Sequence, residues 1–427
     1  MKKYLDEDFL LTNETAKRLY FECAKDMPIF DYHNHLSARD IAEHRRFADL
    51  TELWLEGDHY KWRAMRAAGV DESLITGNAP AFDKFKAWAE VMPGLVGSPL
   101  HHWCHLELQR YFGIDEVLTP ATAESIWKKT CEMLKGDGFD CVSLLAKINV
   151  RVLCTTDDPA DSLEWHKKIR EDETIPFKVL PSFRPDKYCS GSPDDAVLCE
   201  KYGVSDISEA LVKALDFFCE NGCICADYGA GEFSDNPILR MLAAEYKKRG
   251  IVMQLHLGPM RNVSPRIMKC YGRDAGCDSI GASIDPETVA GFLAALQEQD
   301  ALPKTILYNL NPSDNRMLAT LAGDFAPDVL FGAAWWFNDH IRGIRSQISE
   351  LMENGALAST AGMLTDSRSF TSFVRHEYYR RILCDMIGVQ VEEGLYPNDM
   401  ETLTVLVRNI CYSNAERLFV NKQFERK

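Results

Sequence analysis

Apolar runs of strand length recur along the chain, and each gives way to polar residues. The first, Pro28–Tyr32, is followed by His33 and His35. "NVRVLC" (149–154) runs into Thr155-Thr156-Asp157-Asp158-Pro159, and "FKVLPSF" (177–183) into Arg184-Pro185-Asp186. "GCICA" (222–226) precedes Asp227-Tyr228-Gly229, "IVMQL" (251–255) precedes His256, and "KTILY" (304–308) precedes Asn309-Leu310-Asn311-Pro312. "DVLFG" (328–332) leads to Trp335-Trp336-Phe337-Asn338-Asp339, and "AGML" (361–364) to Thr365-Asp366-Ser367-Arg368. Near-continuous apolar runs of this kind are the mark of parallel strands buried on both faces.

Between them the periodicity becomes helical. "PADSLEWHKKIRED", "ISEALVKALDFFCENG" and "NPILRMLAAEYKKRG" repeat apolar residues at helical spacing, the last ending in basic residues and Gly250, which suit a helix C-terminus. "DPETVAGFLAALQEQD" opens with Asp285 as cap and Pro286 in the first turn. The alternation of strand and helix predicts an α/β (β/α)8 TIM-like barrel, with the polar residues gathered at the C-terminal ends of its strands. Residues 37–146 break the alternation. They carry helical patterns such as "HHWCHLELQRYFG" and "TAESIWKKTCEMLKG", and predict a helical insertion after strand one. The expected organisation is 1–36 with the first strand, 37–146 as the insertion, and 147–427 as the remaining barrel and C-terminal helices.

A formal charge of -16 with no basic cluster argues against nucleic-acid binding. An anionic small molecule would need arginines placed locally. The 14 cysteines are scattered and form no C-x-x-C pair, which reads as reduced thiols in a cytoplasmic protein. No run suits a signal peptide or a membrane span. Gly229-Ala230-Gly231 lacks the G-x-G-x-x-G register, so no nucleotide cofactor is expected, and no G-x-S-x-G occurs.

His33 and His35, two residues apart on a strand, project from the same face. Strands one and eight are neighbours in a closed barrel, so Asp366 joins them. Two imidazoles and one carboxylate suit one divalent metal, Zn²⁺ first, with Mn or Fe also compatible. His101, His102 and His105 sit in the insertion and read as structural. In "RHEYYRR", Arg380 replaces the second histidine of H-E-x-x-H, which excludes a zincin. Asp157 and Asp158 fit helix capping as well as catalysis, and Asn311 fits a turn.

The H-x-H and the late aspartate resemble the amidohydrolase superfamily. Finer motifs resemble its uronate (glucuronate) isomerase branch: "FDYHNHL" (30–36), "GDHYKWRAMR" (57–66), "HLELQRYFG" (105–113), "LCTTDDP" (153–159) and "SFRPDK" (182–187), then "QLHLG" (254–258), "NLNP" (309–312), "AWWFND" (334–339), "TDSRSF" (365–370) and "NAERLF" (414–419). The resemblance covers nearly the whole chain. It implies interconversion of D-glucuronate with D-fructuronate, and of D-galacturonate with D-tagaturonate, through a cis-enediol.

On that reading the metal held by His33, His35 and Asp366 polarises oxygen, and Asp366 doubles as base or proton relay. Tyr60 and His59 sit near the reacting carbons. Arg184 and Arg368 have the paired donors to grip a carboxylate. His256 and Asp227 are expected to hydrogen-bond substrate or a metal-bound water, and Trp335 to line the pocket. Two positions depart from the family pattern: Tyr228 stands where a histidine is expected, and Ala282 where an aspartate is usual. The expected partner is a small hexuronate, with a homo-oligomer compatible. The rival expectation is a mononuclear metal-dependent hydrolase. Binuclear members use a modified lysine after strand four and a histidine after strand six, where this chain has Asp227 and Asn309.

Overall fold

The structure is a computed structural model that describes residues 2–189 and 191–420. Its strands are β1 (Ile29–Asp31), β2 (Val150–Cys154), β3 (Lys178–Leu180), β4 (Ser182–Phe183), β5 (Cys225–Ala230), β6 (Val252–Leu257), β7 (Pro259–Met260), β8 (Ser279–Ile280), β9 (Thr305–Asn309) and β10 (Val329–Phe331). All are parallel in the order β1-β2-β3 and β4-β5-β6-β9-β10, except the small antiparallel ribbon β7–β8. β3 and β4 are one extended segment interrupted at Pro181, which has no N–H to give a ladder. The two ladders therefore share a strand and curve into one wall.

The predicted eighth strand, Ala361–Leu364, forms no regular ladder. Closure is made just beyond it, where Asp366 N donates to His33 O at 3.1 Å and His35 N donates to Ser367 O at 2.9 Å. The Tyr32 hydroxyl bonds Gly362 O at 2.8 Å across the same seam. On the other side of the seam, the Gln347 amide takes the place of a strand neighbour by donating to Gly332 O at 2.8 Å. The barrel is TIM-like with an irregular eighth stave.

Helices pack on the outside, where the sequence pattern puts them. Pro237–Arg249 ends at Gly250 in the left-handed region (φ 69°), and Asp285 caps Pro286–Glu298 by accepting from Glu287 N and Thr288 N. Seven α-helices lie between β1 and β2. Their apolar faces, with Trp54, Trp88 and Trp103 buried, share one core with the long helix Val374–Glu392 through Tyr378 and Ile382. The barrel interior is a second cluster, of Tyr32, Cys154, Cys225, Ile306, Tyr308 and Trp335. Among the described residues no helix is long and apolar enough to cross a membrane.

Candidate active site

A cavity of about 550 Å³ opens at the C-terminal ends of the barrel strands, lined by the ends of β1, β5 and β6 and by the 366–368 segment. His33 Nε2 and His35 Nε2 lie 3.2 Å and 3.0 Å from the same Asp366 oxygen, Oδ1. His33 is 2 % exposed and Asp366 10 %. Asp366 holds a left-handed backbone (φ 47°), a conformation tolerated by aspartate that turns its carboxylate back toward β1. Beneath it, Asp31 Oδ2 accepts from Thr365 N at 3.0 Å and lies 3.0 Å from His376 Nε2, fastening the segment before Asp366 to the end of β1, just beyond which the two imidazoles stand. His376 is thus a buried support, in keeping with the rejection of a zincin.

The donor set fits a cation. The ligating atoms of His33, His35 and Asp366 lie within 4.8 Å of one another, and so do those of His33, Asp227 and His256. His256 Nε2 and His33 Nδ1 are buried without a hydrogen-bond partner. Burial pushes His35 down to about 4, against the pull of Asp366, so its imidazole is neutral and free to ligate. Burial pushes the Asp366 carboxyl up, but the bonds from His33 and His35 more than offset it and hold it well below the usual range. Burial also lowers His33, and there the Asp227 and Asp366 charges win and raise it.

Asp227 and His256 lie within β5 and β6 rather than beyond them, because β5 runs to Ala230 and β6 to Leu257. Asp227 Oδ1 lies 2.6 Å from His256 Nδ1, and Asp227 Oδ2 lies 3.2 Å from Arg184 Nη1. Arg184 Nε also reaches Asp186 Oδ2 at 3.0 Å. Asp227 thus fixes both His256 and Arg184. It also lines the cavity, and its oxygens keep further acceptor positions beside those bonds. The His256 ring stacks on Tyr308 (4.3 Å between centres) and meets the edge of Trp335 at 4.5 Å. Trp335 lines the cavity, with its indole N–H bonded to Asn309 O. By strand alternation Tyr228 turns away from Asp227, and it packs against the helical side of the wall.

The chain matches a family model described as glucuronate isomerase, over residues 1–237 and 232–419. The chain belongs to the glucuronate isomerase family. The uronate isomerase of Actinobacillus succinogenes is 46% identical, over 98% of this chain and 100% of that one, and that of Marinomonas sp. is 45% identical over the same shares. The crystal structure of a uronate isomerase from Thermotoga maritima superposes with a TM-score of 0.91 at 34% identity, covering 98% of this chain and 100% of that chain. A glucuronate isomerase structure from Caulobacter crescentus, 24% identical with a TM-score of 0.90, covers 99% of this chain and 98% of that one and shares the fold.

In this member of the family, His59 and Tyr60 open the helix His59–Ala67, whose cap Asp58 accepts from Tyr60 N at 2.9 Å and Lys61 N at 3.1 Å. The Lys61 ammonium is buried against the same carboxylate. Both His59 and Tyr60 line the cavity, and burial lowers His59, with Arg368 adding to the effect. Arg368 lines the cavity too. Among the described residues it makes no ion pair, whereas Arg184 is held by two aspartates. Asn311 caps the turn Pro312–Asp314, as read from sequence. His105 takes Leu118 N on its Nε2, and His101 bonds Tyr4. Asp158 caps Ala160 N, and Asp157 accepts from Ser182 N across the barrel wall.

Sequence reasoning missed Asp339 and Arg375. Tyr60 donates to Asp339 Oδ2 at 2.8 Å, and Arg375 Nη1 lies 3.3 Å from the same oxygen. Asp339 stands at the end of the quoted "AWWFND", after strand seven, the place where a barrel presents catalytic groups. That position was the one signal available.

Proposed function

We propose that this chain interconverts D-glucuronate and D-fructuronate, and D-galacturonate and D-tagaturonate, moving a proton between C1 and C2 of the open-chain acid through a cis-enediol. Membership of the glucuronate isomerase family supports the reaction class and a small-molecule uronate substrate. The observation that carries the reading at the residue level is the convergence of His33, His35 and Asp366 on one point at the mouth of the barrel.

In this reading His33, His35 and Asp366 hold one divalent metal, Zn²⁺ in first place with Mn and Fe as the other candidates. When bound, it supplies Lewis acidity to a substrate oxygen. The carboxylate oxygen of Asp366 left over by the imidazoles is the base or relay for the migrating proton. Tyr60 and His59 face the reacting carbons and hydroxyls, and Arg368, without a carboxylate partner among the described residues, pairs with an anionic or hydroxyl oxygen of the sugar acid. Arg184 and His256 are held by Asp227 at the opposite wall and contact the remaining polar groups of the substrate. Trp335 excludes water from the same side.

The test is to incubate the enzyme with each hexuronate in deuterium oxide and follow ketose formation and label. The reading predicts a ketose product with proton transfer at C1 and C2, from one or both substrates. Release of an amine or acid from amide or ester substrates, with no ketose formed, would move the chain to the hydrolases of the superfamily.

A further inference from the structure

The Tyr60 phenol does not stand alone on the cavity wall. Its hydroxyl donates to Asp339 Oδ2 at 2.8 Å, and Arg375 Nη1 lies 3.3 Å from that oxygen. The Arg375 guanidinium lies 4.6 Å from the centre of the Tyr60 ring and 4.1 Å from that of Trp103. It also donates to Thr365 O at 3.1 Å, the residue before Asp366. Arg375 and Asp339 are 2 % and 3 % exposed. Tyr60 and Arg375 line the cavity.

The loop bearing Asp339 is tightly specified. Trp336 adopts a left-handed backbone (φ 41°), a costly choice for a bulky residue. The helix Ile341–Asn354 presses so closely on the Asn338 carbonyl that only glycine fits at Gly343. A buried charge pair costs desolvation that an apolar pair of the same size would avoid. Burial lifts the Asp339 carboxyl to about 7, with Arg375 and Tyr60 pulling it back down. This arrangement is expensive for packing alone, and it ends on a phenol facing the cavity.

A tyrosine hydroxyl has one proton and two acceptor sites. With the proton committed to Asp339, the oxygen is left to accept from the cavity side. We propose that Asp339 is a positioning residue, whose carboxylate holds the Tyr60 hydroxyl so that its oxygen accepts a hydrogen bond from a hydroxyl at the reacting end of the uronate. Arg375 keeps that carboxylate in register with the Asp366 segment. The inference rests on the reading of Tyr60 given above.

A double-mutant cycle tests it, with kcat and KM for ketose formation measured on wild type, Asp339→Asn, Tyr60→Phe and the double variant. Tyr60→Phe is expected to lower kcat by about 10²-fold, the scale of a positioned proton-transfer group. Asp339→Asn is expected to lower kcat by about tenfold or more with KM within about threefold, and the double variant to be no worse than Tyr60→Phe within about twofold. Asp339→Ser enters the same cycle in place of an Asp339→Asn protein that does not fold. Wild-type kcat in Asp339→Asn, or a double variant that loses the full product of the two single effects, overturns the proposal while leaving Tyr60 in place. Wild-type kcat in Tyr60→Phe removes the Tyr60 reading itself, and this inference with it.

Discussion

Asp366 Oδ1 receives two imidazole nitrogens at once, and a lone carboxylate oxygen has little other reason to be so served in a buried place. The two arginines of the cavity differ in a way the sequence could not show. Arg184 is neutralised by Asp227 and Asp186, while Arg368 packs its stem near Gly57 and has no carboxylate partner among the described residues. Arg368→Ala is therefore expected to raise KM for a hexuronate by about tenfold or more with little loss of stability, the worth of a charge-assisted hydrogen bond. Arg184→Ala leaves Asp227 buried without its cation, and is expected to lower the melting temperature as well as activity. Steady-state kinetics and thermal melts on the two variants separate the roles. His33 and His35 were readable from their spacing at the end of an apolar run, although β1 stops at Asp31 and they stand in the loop just beyond it rather than on a strand face. Asp366 was readable because barrel closure makes first and last strands neighbours. Asp339 and Arg375 were not, since their partner Tyr60 is 279 residues from Asp339 along the chain and no local period links them.

The short helix His59–Ala67 presents two candidate site residues from its first turn, and one residue holds that turn in place. Asp58 caps two backbone N–H groups and is also the counter-ion of buried Lys61. Asp58→Ala removes a cap, worth about 1 kcal/mol, and strands a buried ammonium, worth about 3–5 kcal/mol. Denaturant unfolding is expected to show a loss at the upper end of that range, with kcat reduced because Tyr60 loses its anchor. At this scale the apolar runs located most strands, yet three details escaped. Strand four was read three residues too early, since Asp227 and Tyr228 looked like loop and are ladder residues of β5. The eighth stave forms its closure through the 366–367 backbone rather than through Ala361–Leu364, because side chains (Tyr32 and Gln347) satisfy the backbone groups that a ladder would have paired. The ribbon β7–β8 was not foreseen either: its two-residue strands are too short to leave a pattern.

Across the whole molecule, buried titratable groups of both signs oppose one another. Burial pushes His102, His105 and His166 down to about 4 each. Between pH 6.5 and 4 the unfolded chain binds protons at these sites that the folded chain refuses, so they reduce stability as pH falls. Burial lifts Asp157 and Asp339 to about 7 and, with Arg184 opposing, Asp186 to about 6. Here the folded chain binds the extra protons, so these sites raise stability as pH falls through the same window. Burial lowers six further histidines, His35 to about 4 among them, so the histidines outnumber the raised carboxyls and the melting temperature is expected to fall gently from about pH 6.5 to 4.5. Below about pH 4 it should drop. Asp58, Asp227 and Glu377 are lifted by burial but held below the usual range by Lys61, Arg184 and Arg110 respectively, and the stability they contribute is lost as they protonate. Calorimetric melts across pH 3–7 check this; a melting temperature that stays level or rises from pH 6.5 to 4.5 would show that the carboxyls dominate instead.

The most direct test of the central claim is a metal titration. The chain is stripped with a chelator, Zn²⁺ is returned in known amounts, and bound metal and ketose formation from D-glucuronate are read on the same samples, beside His33→Ala and Asp366→Ala. The account predicts activity rising in step with bound metal to an end point of one ion per chain, and both variants failing to retain the ion. Full turnover by the stripped enzyme, or undiminished metal binding by both variants, would contradict it.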